Sequence, residues 1–204
     1  MDGSIQQVSF GIWRCLICGE VFLGGQCPSH CPFCGAHAEH FVRVDDASKA
    51  PPESTFLPVG ELTEKEKKTI QAAIEGELIG TVVYRQMASK NERDTPEGNI
   101  FARSYKRLAR VEDEHVSILC KLLGVEKKSQ KVNEALLKEF PLTGVWKDDI
   151  ATTLAREKCG AEAYAQYAKE AIDPRAKLVW SALADIEADH VTLETHHLEM
   201  LNKH

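Results

Sequence analysis

The sequence predicts a mainly α protein: a four-helix bundle preceded by a small N-terminal metal-knuckle domain. Three observations predict it. Five of the seven Cys fall within the first 45 residues, whereas residues 60–204 read as Ala, Leu, Glu and Lys at helical spacing. The Cys-rich part contains two C-x-x-C-G turns. The helical part repeats one pattern, Glu77-x6-Tyr84 then Glu112-x-x-His115, and later Glu157-x6-Tyr164 then Glu187-x-x-His190. Seven residues are nearly two helical turns and three nearly one, so each Glu shares a helix face with its Tyr or His.

Composition narrows the class. A chain of 204 residues with 43% hydrophobic content suits a globular core. A net charge of −6 argues against a nucleic-acid partner, because binding phosphates leans on clustered Lys and Arg. No 18-residue apolar run and no signal-peptide pattern occur. The expectation is a cytoplasmic protein with no membrane span, where paired Cys hold metal more often than they form disulfides.

Residues 1–45 form the expected first domain. Cys15-Leu-Ile-Cys18-Gly19 and Cys31-Pro-Phe-Cys34-Gly35 each place two thiolates on one side of a tight loop, with Gly free to take positive φ. Two facing knuckles complete a tetrahedral four-sulfur site, and metal binding would supply much of the folding free energy of so small a domain. Spacing alone leaves open a structural zinc or a redox-active iron. Cys27 has no place in the four-ligand set and is read as a spare thiol, and His30, His37 and His40 as loop or surface residues.

Residues 46–60 are the expected linker; 46–58 contain three Pro and read as an extended tether. Residues 61–204 form the bundle. The first helix is expected from Thr63, in a capping box with Glu66, to about Asn91, facing inward with Ile70, Ile74, Glu77, Thr81, Tyr84 and Ala88. The second opens at Asp94-Thr-Pro-Glu97, buries Phe101, Tyr105, Leu108, Glu112, His115, Leu119 and Leu122, and stops at Gly124. A crossover follows, with a short helix near 130–139 ended by Pro141. The third helix, near Lys147–Ile172, faces inward with Ile150, Leu154, Glu157, Ala161, Tyr164, Ala168 and Ala171. Asp173-Pro174 turns into the fourth, about 175–203, with Ala176, Trp180, Leu183, Glu187 and His190 inside.

These lists step by three and four, so the Glu and His occupy positions that would otherwise be apolar core. Burying four unpaired carboxylates would cost several kcal/mol each, by order of magnitude. Two divalent metals cancel the four charges, with neutral His supplying nitrogen ligands. Cys120 and Cys159 are read as buried small hydrophobes, and His196, His197 and His204 as exposed. Glu114 and Asp189 lie on other helix faces and are assigned no metal.

Two Glu-x-x-His elements plus one Glu from each of two further helices resemble the ferritin-like di-iron carboxylate proteins. The segment Trp13-Arg-Cys15-Leu-Ile-Cys18-Gly-Glu-Val-Phe22, with Cys31-Pro-Phe-Cys34-Gly35 and His40-Phe41, resembles the rubredoxin-like domain of the rubrerythrin family. The combination resembles rubrerythrins in the reversed arrangement, with the rubredoxin-like domain first. The likeness implies one iron on Cys15, Cys18, Cys31 and Cys34, and a di-iron pair with Glu77 and Glu157 as terminal ligands. Glu112 and Glu187 would bridge, His115 and His190 would cap one metal each, and Tyr84 and Tyr164 would hydrogen-bond to the carboxylates. One departure stands out: rubrerythrins carry a further glutamate three residues after the first on this helix, and position 160 here is Gly. Glu162 lies about 140° round the helix from Glu157, a poor substitute.

By the same likeness the chain is expected to be a peroxidase of oxidative-stress defence, reducing hydrogen peroxide to water with electrons relayed through the iron of the four cysteines. Dioxygen reduction, or ferroxidase and iron-storage activity, are the alternatives. An external donor such as a rubredoxin or flavoprotein reductase is implied. A tether of thirteen residues could span up to about 40 Å, so a homodimer is expected in which one chain's N-terminal domain serves another's bundle.

Overall fold

The structure, a computed structural model, describes residues 11–45, 59–91 and 95–203. The proposed tether 46–58, Asp94 and His204 lie outside the described residues. Among the described residues three short antiparallel strands come first: β1 (Gly11–Cys15), β2 (Val21–Gly24) and β3 (Phe41–Arg43), in the order β2-β1-β3. Pairing of Trp13 with Phe22 on one side and with Arg43 on the other fixes the register. The two knuckles hang from this sheet. In each, the Gly after the second Cys has positive φ, 91° at Gly19 and 84° at Gly35. Its N–H returns to the carbonyl of the first Cys, at 2.9 Å and 3.0 Å respectively.

Helix α1 (Glu64–Lys90) starts at the expected capping box, in which the Thr63 hydroxyl and the Glu66 carboxylate satisfy each other's backbone N–H groups. Glu66 also accepts from the N–H groups of Ile172 and Asp173 at 2.9 Å and 3.0 Å, which ties the start of α1 to the far side of the bundle. Helix α2 (Pro96–Leu123) is capped by Thr95, carries Pro in its first turn and ends at Gly124 in the left-handed region. The crossover holds a 3₁₀ turn at Lys127–Ser129 and a single α-helical turn, α3 (Glu134–Leu137), shorter than its sequence suggests. Helix α4 (Trp146–Glu170) and helix α5 (Pro174–Leu201), the latter capped by Asp173, complete the bundle. Among the described residues no helix is long and apolar enough to cross a membrane.

Helices pair as α1 with α2 and α4 with α5, and the α1–α4 side is more open. Burial along α4 departs from the sequence reading. Thr153, Glu157 and Tyr164 are buried on α4, but Leu154, Ala161, Ala168 and Ala171 are only half-buried. Cys120 is buried as expected, whereas Cys159 is exposed on the same open side. His197, expected at the surface, is buried against Phe101 and Tyr105.

The knuckle domain does not stand apart. Ile17, Cys34 and Phe41 belong to one apolar core with Ile118, Val179, Trp180, Leu183 and Ile186 of the bundle. Gly35 is required twice over, since a Cβ there would meet Ile186 Cγ2 at 3.0 Å and its φ is in the left-handed region. The buried guanidinium of Arg175 donates to the carbonyls of Leu16 and Ile17 at 2.6 Å and 2.7 Å, anchoring the first knuckle to the start of α5.

Candidate metal centres

The four knuckle sulfurs are buried and mutually close. Cys15 Sγ lies 3.8 Å from Cys34 Sγ, and Cys18 Sγ lies 3.7 Å from Cys31 Sγ. A tetrahedral ion with metal–sulfur bonds of about 2.3 Å has sulfur–sulfur edges of about 3.8 Å, so the cage fits one such ion. Hydrogen bonds shared among the sulfurs drive the Cys15 thiol well down and the Cys34 thiol well up. Metal ligation needs the thiolate form, so a cation entering the cage would be bound with release of protons. Cys27 stands outside the cage, its sulfur facing the Ala38 carbonyl.

Inside the bundle, α1, α2, α4 and α5 aim Glu77, Glu112 with His115, Glu157, and Glu187 with His190 at one interior point, all of them buried. Two four-residue groups result. Glu77, Glu112, His115 and Glu187 form one, and Glu112, Glu157, Glu187 and His190 form the other, so Glu112 and Glu187 are common to both. Glu187 faces both imidazoles, with Oε1 3.4 Å from His115 Nδ1 and Oε2 3.2 Å from His190 Nδ1. His190 Nδ1 also lies 3.2 Å from Glu112 Oε1 and 3.3 Å from Glu157 Oε2. The two rings stack 6.2 Å apart.

Whether metals suit this set is answered by its unsatisfied atoms. Glu77 Oε2, both Glu112 oxygens, His115 Nδ1 and Glu187 Oε1 are buried without a hydrogen-bond partner. Leaving so many buried polar atoms unpaired is costly, and divalent cations are what would pair them. Burial, followed by the nearby charges of Glu77 and Glu187, pushes the Glu112 carboxyl well above its ordinary range. The remaining oxygens are tied across the bundle: Tyr84 of α1 donates to Glu157 Oε1 at 2.6 Å, and Tyr164 of α4 donates to Glu77 Oε1.

His115 Nε2 meets the Cys34 backbone carbonyl at 3.1 Å. A carbonyl accepts only, so Nε2 carries the proton and the Nδ1 lone pair faces the carboxylates, the tautomer a metal ligand requires. One peptide group thus touches both candidate centres.

Two groups lie in the site that the sequence reading does not include. Arg156, one residue before Glu157, places Nη1 2.6 Å from Glu157 Oε1 and Nη2 3.8 Å from Glu112 Oε2, and donates to the Gly76 carbonyl. A Cβ at Gly80 would lie 2.5 Å from Arg156 Nη2, so this glycine in a helix interior leaves room for the guanidinium. Such a Gly is the sequence signal that could have pointed to a close approach. Glu194 is the second, fully buried and bonded to Thr153 Oγ1 at 2.8 Å. Glu194-x-x-His197 repeats the Glu187-x-x-His190 spacing seven residues on, a signal the sequence does contain. Glu162 is exposed, while Gly160 borders a cleft of about 340 Å³ between α1 and α4, lined also by Gly76, Ala163, Arg156, Glu77 and Glu187.

Comparison with known proteins agrees with this architecture. Residues 13–42 match the family described as "Rubrerythrin, rubredoxin-like domain", and residues 68–204 match that described as "Rubrerythrin". A curated relative, "Reverse rubrerythrin-1" from Clostridium acetobutylicum, is 33% identical over 114 residues, or 55% of this chain. The match spans 61% of the relative's length. No solved structure matches. The four-cysteine cage and the Glu and His cluster fit one iron and a di-iron pair. With matches covering both parts in this order, the chain belongs to the rubrerythrin family, its rubredoxin-like domain ahead of the bundle.

Proposed function

We propose that the chain is a di-iron oxidoreductase that reduces hydrogen peroxide to water, with Cys15, Cys18, Cys31 and Cys34 holding one iron. In this reading Glu77 and Glu157 are terminal ligands of the iron pair, Glu112 and Glu187 bridge it, and His115 and His190 each cap one metal. When bound, the pair supplies two electrons at once and the single iron supplies them one at a time. Membership of the rubrerythrin family supports an oxidoreductase; the contact of His115 Nε2 with the Cys34 carbonyl supports a relay between the centres. A storage protein also needs the tautomer this bond fixes, but has no need for the acceptor to belong to a residue of the four-cysteine cage.

The chain's own residues then have distinct tasks. His115 couples the knuckle to the bundle through one hydrogen bond. Tyr84 and Tyr164 hold Glu157 and Glu77 in orientation from the opposite helix. The cleft beside Gly76, Gly160 and Ala163 admits a small substrate to the Glu187 side, and the small side chains keep it open. Reducing one peroxide consumes two electrons and two protons, and an external donor such as a rubredoxin or flavoprotein reductase would replace the electrons. The homodimer in which one chain's N-terminal domain serves another's bundle remains part of this proposal, and the contact of His115 with Cys34 gives the relay its path.

The test is to mix anaerobically reduced, iron-loaded protein with stoichiometric hydrogen peroxide or with dioxygen and follow the colour of the knuckle iron. Peroxide should oxidise it faster than dioxygen at equal concentration. A faster reaction with dioxygen would favour dioxygen reduction, and no reaction of the knuckle iron with either would remove the relay.

A further inference from the structure

A third cluster lies where the knuckle domain meets the bundle, and the proposed function leaves it unused. His30 and His37 flank the second knuckle, and the backbone pairs them across an antiparallel bridge. Residues opposed in this way project to the same side. Their imidazoles stand edge to face, centroids 4.7 Å apart. Facing them from α5 is Asp189, whose Oδ2 lies 2.8 Å from His37 Nε2 and 3.4 Å from His30 Nε2.

We propose that His30, His37 and Asp189 form a binding site for one divalent transition-metal ion, zinc or ferrous iron, which pins the second knuckle to α5. Nitrogen and oxygen ligands at about 2.0–2.2 Å from a metal stand about 2.9–3.5 Å from one another at octahedral or tetrahedral angles, and the two separations lie close to that window. An ion pair accounts for one imidazole on the carboxylate; two rings aimed with Nε2 at the same oxygen converge as ligands do. One ligand atom from each residue falls within 4.8 Å of the others. Two imidazoles and a carboxylate suit zinc, ferrous iron or cobalt better than calcium or magnesium. His30 and Asp189 are about half exposed, at 52% and 48%, which leaves coordination positions for water and a path of entry.

Location gives the site a consequence. The two His close the base of the loop that carries Cys34, whose carbonyl meets His115, and Asp189 immediately precedes His190. An ion here ties the loop that carries Cys34 to α5 one residue before His190, and so steadies the Cys34 end of the His115 contact. No residue is shared with the four-cysteine cage or the carboxylate centre.

The test uses full-length, tag-free, iron-loaded protein in which Cys27→Ser and Cys159→Ser remove the remaining accessible thiols. Samples are dialysed against zinc buffered at graded free concentrations, and zinc and iron are counted in each. One zinc per chain should enter with iron undiminished, and His37→Ala and His30→Ala should each weaken it by at least about tenfold. Zinc should also slow amide exchange over residues 31–37 in the parent and not in His37→Ala. Retained iron colour shows that the variants fold. No zinc uptake, or uptake matched by loss of iron, would overturn the proposal. So would affinity unchanged by His30→Ala, which would move the ion to the neighbouring set of His37, Glu39 and Asp185.

Discussion

Replacing Glu194 by Gln should flatten the alkaline side of the stability profile. Glu194 is fully buried, its Oε1 accepting from Thr153 and its Oε2 without a partner. Burial, with the charge of Glu157 behind it, pushes this carboxyl up to about 8 from an ordinary 4.5. Between those values the folded chain holds a proton that the unfolded chain has released. Stability from this group is therefore complete below about pH 4.5 and is lost as pH rises through about 8. At about 1.4 kcal/mol for each pH unit, the full loss is about 5 kcal/mol above pH 8. Gln mimics the protonated acid at every pH and keeps the bond from Thr153. His197, held down to about 4 by burial, acts in the opposite sense, costing stability as pH falls below 6.5, and both proteins share that limb. The assay is urea unfolding of metal-free, thiol-reduced wild type and Glu194→Gln from pH 5 to 9. The variant should gain on the wild type by several kcal/mol across that range. Parallel profiles would mean that Glu194 titrates alike in the folded and unfolded states and contributes no pH dependence.

Three further outcomes are expected. Cys34→Ser should abolish the visible absorption of the knuckle iron while Cys27→Ser leaves it, as measured by a spectrum of each protein at equal iron supply. Glu112→Ala and Glu187→Ala should each lose most of the bundle iron, whereas Glu162→Ala, on an exposed side chain, should retain it when iron per chain is counted. Arg156→Met should destabilise the metal-free protein by about 3–5 kcal/mol, since it strips a buried cation from Glu157, yet tighten divalent-metal binding in a competition assay. Weaker metal binding together with lower stability would mean that Arg156 organises the site and does not compete with its metals.

Much of this was legible because it is local. Thr63, Gly124 and Asp173 mark helix ends through bonds within four residues, and the spacings of three and seven place Glu, His and Tyr on single faces whatever the tertiary structure. What escaped depends on partners far away in sequence. Asp189 reads as unassigned because it lies off the face of Glu187 and His190, but that outward face is where the second knuckle docks. His197 reads as a terminal, solvated residue until Phe101 and Tyr105 of α2 are placed over it. Arg156, beside Glu157, is absent from the sequence reading. It turns inward because Gly80, on another helix, leaves the space, and because a carboxylate cluster draws a cation.

The two halves of the bundle are near copies, each contributing a Glu with its Tyr and a Glu with its His, and the crossed Tyr84–Glu157 and Tyr164–Glu77 bonds preserve that symmetry. The surroundings break it in three places. His115 meets the Cys34 carbonyl, whereas His190 meets no such group among the described residues. Arg156 lies beside Glu157 and Glu112, and the corresponding place beside Glu77 is Gly76, whose carbonyl accepts from that same guanidinium. Glu77 and Glu187 border the cleft with Gly160, where the family's additional carboxylate would stand. A symmetric set of candidate ligands therefore sits in an asymmetric field. Electrons would arrive beside His115, and a fixed positive charge lies nearer the group that contains His190. With one carboxylate fewer, and with the Arg156 guanidinium beside Glu157 and Glu112, the centre is less negative than a five-carboxylate site would be in the same surroundings. Added positive charge favours the reduced form of any metal pair held there, so this chain's centre should be easier to reduce than one with a Glu at position 160.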